Sequence, residues 1–224
     1  ICMTRAGRYA RGMLAVSAAI KADMVAMVMP ENRIRVHHTG VDLDLFKPLD
    51  RAAAKAGLGI KGSLIVSVGA LIPRKGQALV VDALPSLPDT TLVLIGAGSE
   101  RAALEARAVA HGVSDRLRFT GAIGHEELAH WLGAADAMVL ASASEGLANV
   151  WGEALACGTP IVITDVGGAR EGVEDRIAGH LVPPEPSAIS DAAKEILANP
   201  RDPAAVRRVA ERFTWAANTA ALYD

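Results

Sequence analysis

The stretch AMVLASASEGLANVWGEALACGTPIVIT, residues 137–164, decides the fold of this chain. Two apolar runs, Ala137–Leu140 and Ile161–Thr164, flank a segment with helical character at about 149–156. Gly158 marks the end of that helix, because glycine readily adopts the conformation that terminates one. Strands that are apolar without alternation are buried on both faces. The stretch therefore predicts a strand–helix–strand unit of a parallel sheet.

The same succession of strand and helix signals continues in both directions from this unit. Further strands are predicted at 13–16, 34–37, 64–68, 91–95 and 117–119. Further helices are predicted at about 18–28, 76–84, 99–111, 125–134, 186–198, 203–212 and 215–223. We therefore expect an α/β fold, a Rossmann-like parallel sheet with helices on both faces. Turn residues and prolines place boundaries near 38–50 and near 200.

Composition limits the class of protein. The 224 residues are 51% hydrophobic and 21% charged, which supports a sizeable core and excludes disorder over most of the chain. The net charge of -2 gives no general attraction to nucleic acid. The two cysteines, Cys2 and Cys157, form neither a disulfide framework nor a metal cluster, and they fit a reducing cytoplasm. No apolar run is long enough to span a membrane.

The beginning of the sequence carries signals of targeting and of membrane contact. The first residue is Ile1, and an arginine-containing segment at 4–11 precedes a short apolar run, a loose imitation of a signal peptide. Arg5, Arg8 and Arg11 share one helical face that is able to contact anionic lipid, although a solvated face is the simpler explanation. We expect a cytoplasmic protein. Peripheral contact with the inner face of the membrane is a further hypothesis.

Ligands of a doubly wound sheet bind beyond the carboxyl ends of the strands, so the residues after each predicted strand are the candidates for a site. After the strand that ends at Val68, the loop Gly69–Gly76 carries Arg74 and Lys75 to the start of a helix. Both the cations and the free amides of the helix attract phosphate. The alternative is a pair of solvated surface cations, and the position at a strand end favours phosphate.

A glycine-rich turn, Gly96-Ala97-Gly98, follows the strand that ends at Ile95. The third glycine of the dinucleotide fingerprint is absent because Arg101 stands there, and no acidic residue follows at the next strand end. The turn therefore argues against a nicotinamide-dependent oxidoreductase.

Two carboxylates flank the start of the helix predicted at 149–156. Glu145 lies in the preceding loop and Glu153 lies in the helix, with seven residues between them. The intervening amides at 147–150 open the helix and are expected to bind an anion. Carboxylates are better suited to accept hydrogen bonds from sugar or ribose hydroxyls than to face phosphate. From spacing alone, a helix N-terminal acid at Glu145 and a surface acid at Glu153 are equally good interpretations.

The paired glycines of Asp165–Glu171 also allow a ligand close to the backbone. Several glycine-rich loops on one sheet edge indicate a nucleotide-diphosphate site. Other reactive residue types point to no chemistry. The histidines lack metal-ligand spacing, no serine lies in a Gly-x-Ser-x-Gly elbow, and Cys157 is interpreted as a packing residue.

These residues together resemble the retaining glycosyltransferases of family 4, which have the GT-B fold. The donor-site signature of that family resembles Glu145-x7-Glu153 followed by Ala156-Cys157-Gly158-Thr159-Pro160. Other segments of the family resemble, in order, Thr39-Gly40-Val41-Asp42, Val68-Gly69 with Lys75-Gly76, Gly167-Gly168-x-x-Glu171, Gly179 with Pro183, and Phe213 to Tyr223. The chain departs from the family at Ala70, where members often have arginine, and at Thr39, where many have asparagine.

The resemblance implies a nucleotide-diphosphate sugar as donor substrate, without a prosthetic group or a metal. Lys75 and Arg74 would hold the pyrophosphate, and Glu153 would bind the ribose hydroxyls. Glu145 and the amides of Gly146 to Asn149 would hold the transferred sugar and its phosphate. The backbone near Ile123 would meet the base. The other expected donor-binding positions are Gly69, Gly98, Gly146, Leu147, Ala148, Asn149 and Val150.

The resemblance also divides the chain. Residues 1–36 resemble the last strand and helix of an N-terminal acceptor domain, residues 37–205 the nucleotide-sugar domain, and residues 206–224 the crossover helix. The expected partners are the missing N-terminal domain or a partner chain, and an acceptor glycan, lipid or small molecule. We expect the chain to bind the donor without transferring the sugar alone. A non-catalytic nucleotide-sugar-binding or assembly subunit is the alternative.

Overall fold

The computed structural model of the chain describes Gly7 and residues 9–173 and 175–223. Arg5 and Arg8, two of the three arginines behind the membrane-contact hypothesis, lie outside the described residues, whereas Arg11 is described and exposed. Within the described ranges, every helix is too short or too polar to cross a bilayer.

Parallel strands form two separate sheets. The strands are β1 (Met13–Ala15), β2 (Ile34–Val36), β3 (Ser63–Val68), β4 (Thr90–Ile95), β5 (Leu117–Gly121), β6 (Ala137–Leu140), β7 (Ile161–Thr164) and β8 (Gly179–Val182). Strands β1 and β2 pair with each other, and the remaining strands form a six-stranded sheet in the order β5-β4-β3-β6-β7-β8. All pairings between these strands are parallel. The strand order of the larger sheet reverses direction between β3 and β6, as in a doubly wound fold.

Helices cover both faces of the larger sheet, which confirms the predicted fold class. They are α1 (Ala18–Ala26), α2 (Arg51–Gly57), α3 (Gln77–Ala83), α4 (Arg101–Ala110), α5 (His125–Ala134), α6 (Asn149–Ala156), α7 (Ala169–Gly172), α8 (Pro186–Ala198), α9 (Pro203–Ala210) and α10 (Trp215–Tyr223). Helices α2, α5, α6 and α9 pack on one face of the sheet, and α3, α4 and α8 pack on the other.

The alternation of side chains along β3 explains the two cores. Leu64 and Val66 enter the core beneath α5 and α6, whereas Ile65 between them enters the opposite core. All three are at most 1% exposed. Because successive side chains of a strand point to opposite faces, a continuous apolar run fills both cores at once. Each fully buried side chain of this type contributes about 1.5–3 kcal/mol.

The N-terminal unit, which we define as residues 13–36, packs beside the loops at the carboxyl ends of the strands of the larger sheet. Its small core contains Ala15, Met29 and Ile34. The N–H of Ala18, at the start of α1, donates to Glu171 Oε1 at 2.9 Å. This unit therefore adjoins the loops that the sequence singles out as a site.

The sequence prediction missed α2 and β8. Helix α2 begins after Asp50, whose carboxylate accepts the N–H of Ala53 at 3.0 Å. This capping residue and the three alanines at 52–54 are a signal from which the helix could have been predicted. Strand β8 has only four residues, including a glycine and a histidine, and it carries no continuous apolar pattern. Several predicted helices are also longer than those observed, and the segment expected at 203–212 ends its α-helix at Ala210.

Candidate functional site

The candidate site lies where the strand order of the larger sheet reverses. The loops that follow β3 and β6 are neighbours there, because these two strands pair in parallel. Gly76 closes the first loop with φ of +68°, and an added Cβ would lie 1.9 Å from the carbonyl oxygen of Ala141. A residue with a side chain does not fit this close approach. The reversal point of a doubly wound sheet is where such folds leave a crevice for ligands.

Lys75 and Glu145 meet where these two loops adjoin. The ammonium Nζ of Lys75 lies 2.5 Å from Oε1 of Glu145, and the two side chains are 17% and 9% exposed. Glu145 is therefore not the helix N-terminal acid that spacing alone allowed, and α6 has no acidic residue in its first turn. This nearly buried ion pair holds a positive and a negative group side by side at the carboxyl ends of β3 and β6.

Arg74 joins the same two loops. Its Nη1 donates to the carbonyl oxygen of Ser144 at 3.1 Å. Its own carbonyl oxygen accepts the N–H of Ala143 at 2.8 Å. Arg74 is exposed, so the guanidinium stays in contact with solvent and adds positive charge beside Lys75.

The amino terminus of α6 follows the β6 loop directly. The helix runs from Asn149 to Ala156, and the residue before it, Ala148, offers no side-chain cap. The first N–H groups of a helix lack intrahelical acceptors, and the helix dipole makes this end positive. Gly146 and Leu147 precede it in the same loop. The predicted amide positions 146–150 thus include an uncapped helix start, and the loop that leads into it carries Glu145.

Glu153 lies one turn into α6 and is partly buried. Burial raises the pKa of its carboxyl above the usual value, and the nearby His125 opposes the shift. Glu153 is therefore not the freely solvated surface acid of the alternative interpretation. A partly desolvated carboxylate gains from hydroxyl donors that replace its lost water.

The remaining predicted positions follow the neighbouring strands β3, β4 and β5. Gly69 lies against the stem of Lys75, since an added Cβ would be 3.5 Å from its Cδ. Gly98, after β4, packs on the backbone of Leu71, and Ile123, after β5, is partly exposed. These positions therefore line successive strand ends on the β5 side of Lys75.

Two residues of the site received no role from the sequence. Ser142 Oγ donates to Glu145 Oε1 at 2.7 Å, and Thr164 Oγ1 donates to the carbonyl oxygen of Ser142 at 2.5 Å. The spacing of three residues between Ser142 and Glu145 is a local signal for such a contact. The contact from Thr164 depends on the pairing of β6 with β7 and has no local signal.

Neither of the two largest cavities of the described residues is lined by Lys75 or Glu145. One, of about 740 Å³, is an open groove near Arg176, Arg201 and Arg208, and it does not include the strand-end loops. The other, of about 670 Å³, is lined by Ser142 and Thr164 of the site and by Pro183. Over the described residues, histidine, cysteine and acidic side chains do not gather in any group of three suited to a metal ion.

Known proteins resemble the chain in sequence and in fold. It is 40% identical over 158 residues to a D-inositol 3-phosphate glycosyltransferase of Mycobacteroides abscessus, an alignment that covers 67% of this chain and 36% of that protein. The sucrose-phosphate synthase of Thermosynechococcus elongatus has a TM-score of 0.86 at 30% identity, covering 99% of this chain and 59% of that one. The Anabaena protein Alr3699/HepE, solved in complex with UDP, shares the fold with a TM-score of 0.90 at 24% identity, covering 97% of this chain and 64% of that one.

The chain spans about a third to a half of the length of the curated relatives it matches. The family model of the glycosyl transferases group 1 matches residues 50–213, which include the whole six-stranded sheet and every predicted site residue. From this match over most of its length, the chain belongs to the glycosyl transferases group 1 family.

Proposed function

We propose that this chain is the donor-binding half of a glycosyltransferase, which transfers a sugar from a nucleotide-diphosphate sugar to an acceptor. The observation that carries the proposal is the contact of Lys75 with Glu145, which lies in the loop that leads into the uncapped start of α6. Positive groups for a diphosphate and an acceptor for sugar hydroxyls are thereby adjacent at the strand-order reversal. Family membership and the curated relatives support the same reaction class.

In the proposed reaction, the bond between the anomeric carbon and the diphosphate oxygen breaks, and the acceptor hydroxyl oxygen forms the new bond. The proton of that hydroxyl leaves to the released diphosphate or to water. Lys75, Arg74 and the first amides of α6 stabilise the negative charge that grows on the leaving diphosphate. A well-placed donor of this kind is worth about 3 kcal/mol in the transition state. These groups need no metal ion to supply the positive charge.

The two glutamates have separate roles in this proposal. Glu145 accepts hydrogen bonds from the transferred sugar, and Glu153 accepts them from the ribose. The raised pKa of Glu153 fits this role, because hydroxyl donors compensate the burial of its carboxylate. The base lies near Ile123, on the β5 side of the edge. Assignment to family 4 and retention of configuration remain predictions from the resemblance.

The relatives are longer than this chain, so the proposal assigns only donor binding to it. Acceptor recognition and completion of the transfer belong to the rest of the enzyme, on the same chain or on a partner. A glycan, a lipid or a small molecule remains open as the acceptor. A cytoplasmic location and contact with the inner face of the membrane likewise remain predictions.

Calorimetric titration of the chain with UDP, GDP and ADP tests donor binding. UDP is the first probe because the Anabaena protein of the same fold was solved with it. We expect one nucleotide to bind, and Lys75→Ala to weaken it about 100-fold through loss of a charge-assisted contact. Lys194→Ala is the control, since Lys194 is half-exposed and pairs with Asp191 on α8. Absence of heat with all three nucleotides would refute the proposal.

A further inference from the structure

A buried hydroxyl fixes one oxygen of Glu145. Ser142 is 1% exposed, and its Oγ donates to Glu145 Oε1 at 2.7 Å. Lys75 Nζ contacts the same Oε1 at 2.5 Å. Both donors therefore converge on a single carboxylate oxygen, which defines the rotation of the carboxylate about its terminal bond.

The backbone of Ser142 is fixed in turn by the next strand. Thr164, at the end of β7, is 1% exposed and donates its hydroxyl to the Ser142 carbonyl oxygen at 2.5 Å. On the other side, Ala143 donates its N–H to the Arg74 carbonyl oxygen at 2.8 Å. Ser142 is thus held between β7 and the Lys75 loop. A hydroxyl held in this way is a rigid support rather than a mobile one.

The second oxygen of Glu145 is left for a ligand. In the described part of the chain, Oε2 has no hydrogen-bond partner, while a carboxylate oxygen offers about two acceptor sites. Lys75 keeps two further N–H donors after its contact with Oε1. The same arrangement therefore offers Glu145 Oε2 as an acceptor for a hydroxyl and the Lys75 ammonium as a donor for a phosphate. The contacts of Ser142 and Lys75 with Oε1 fix the distance between the two.

We infer that Ser142 is a positioning residue, which orients Glu145 so that Oε2 accepts a hydroxyl of the donor sugar. The inference rests on the proposed function, because it needs a sugar attached to the diphosphate beside Lys75. It assigns Ser142 a specific effect. Loss of its hydroxyl weakens recognition of the sugar and leaves recognition of the nucleoside diphosphate nearly unchanged.

The test compares UDP, GDP and ADP with the glucose conjugate of each, titrated into the chain and into Ser142→Ala. For the conjugate that binds the wild-type chain, we expect about tenfold weaker binding to the variant, from one charge-assisted hydrogen bond. Affinity for the matching diphosphate is expected to change less than about twofold. Glu145→Gln should also weaken binding of the conjugate relative to that of its diphosphate, because it replaces the carboxylate that Ser142 orients.

Ser190→Ala is the matched control. Ser190 is also buried, at 2% exposed, and its hydroxyl donates to the Ser187 carbonyl oxygen within α8. Thr164→Val is a second test. It is expected to weaken binding of the conjugate about threefold, because the Ser142 backbone loses a hydrogen bond that holds it. Thermal unfolding of each variant establishes that the chain remains folded at the temperature of titration.

The outcomes separate the inference from the proposed function. If neither diphosphates nor conjugates bind the wild-type chain, both fail together. If they bind, but Ser142→Ala affects diphosphate and conjugate equally or behaves like Ser190→Ala, the positioning role is overturned and donor binding stands. A wild-type chain that binds every conjugate no more tightly than its diphosphate also overturns the inference, because Glu145 then gains nothing from the sugar.

Discussion

The carboxylate of Glu171 lies 2.8 Å from the imidazole Nε2 of His38, although 133 residues separate the two in sequence. Its other oxygen accepts the N–H of Ala18 at 2.9 Å. One side chain of α7 thus holds both the first turn of α1 and the segment that follows β2. Glu171 therefore anchors the N-terminal unit beside the candidate site.

Glu171→Ala is expected to loosen the start of α1. Removal of the carboxylate leaves the Ala18 N–H and the His38 ring without this acceptor, at a cost of about 1–2 kcal/mol. Hydrogen exchange measured by mass spectrometry should show faster exchange in a peptide covering residues 17–22, and the Tm should fall.

Glu105→Ala serves as the control for Glu171→Ala. Glu105 pairs with Arg101 on α4, and both side chains are about half-exposed. Exposed pairs of this type contribute less than about 1 kcal/mol, so this variant should leave exchange at 17–22 unchanged. Equal exchange in both variants would show that Glu171 does not anchor α1.

The sequence is most informative where short-range patterns decide the structure. The observed bounds of β6, α6 and β7 are those predicted from apolar runs and from the glycine and proline between them. The position of Glu145 and of the start of α6 at one strand end follows from that unit alone. Hence half of the candidate site is local in sequence.

The other half depends on the order of the strands. Lys75 and Glu145 are 70 residues apart, and they meet because β3 and β6 are neighbours at the reversal point. No local pattern specifies that neighbourhood, and the sequence reached Lys75 only through a strand-end rule and a family resemblance. The contacts of Glu171 with Ala18 and His38 have no local pattern either, so they emerge only in three dimensions.

Gly168→Ala is expected to distort the loop that follows β7. An added Cβ would lie 2.5 Å from the Gly146 carbonyl oxygen and 2.7 Å from Ser17 Cβ. The Gly168 N–H also donates to that carbonyl at 2.6 Å, so the backbone has little room to retreat. We expect at least about tenfold weaker nucleotide binding by calorimetry and a loss of about 1–3 kcal/mol of stability.

Gly57→Ala gives the opposite result in the same experiment. Gly57 is the last residue of α2, and an added Cβ would meet nothing within 4 Å. Alanine in a helix is favoured over glycine by about 0.5–1 kcal/mol, so the Tm should rise and nucleotide affinity should stay the same. Similar losses in both glycine variants would contradict the packing assigned to Gly168.

Glu153→Gln is expected to stabilise the free chain while weakening nucleotide binding. Burial raises the pKa of Glu153, so the folded state favours the protonated carboxyl more than the unfolded state does. The stability that this preference contributes is fully present below the pKa of the unfolded state, and it is lost as pH rises through the pKa of the folded state. At about pH 7 the charged carboxylate therefore lowers the stability of the folded state. The neutral amide of the variant does not carry this cost, so the variant is more stable.

Thermal unfolding and calorimetry of Glu153→Gln measure the two effects together. The stability gain should be present at about pH 7 and shrink toward pH 4, where Glu153 itself becomes protonated. Nucleotide affinity should fall about tenfold, because an amide oxygen is a weaker acceptor for ribose hydroxyls than a carboxylate. A variant that is less stable at neutral pH would show that burial of Glu153 does not oppose folding.

Cys157 is expected to resist alkylation in the folded chain. Burial raises the pKa of its thiol to about 12, and the side chain is 1% exposed. Its Sγ lies 3.7 Å from the Ala129 carbonyl oxygen, a weak contact that also favours the thiol. Because the thiolate is the reactive form, iodoacetamide at about pH 8 should leave Cys157 unmodified until the chain unfolds.

A Cys2→Ser background removes the other thiol, and intact mass before and after denaturant reports the modification. Rapid alkylation of the native Cys2→Ser chain, at the rate of the denatured one, would contradict the packing role and show that the end of α6 opens to solvent.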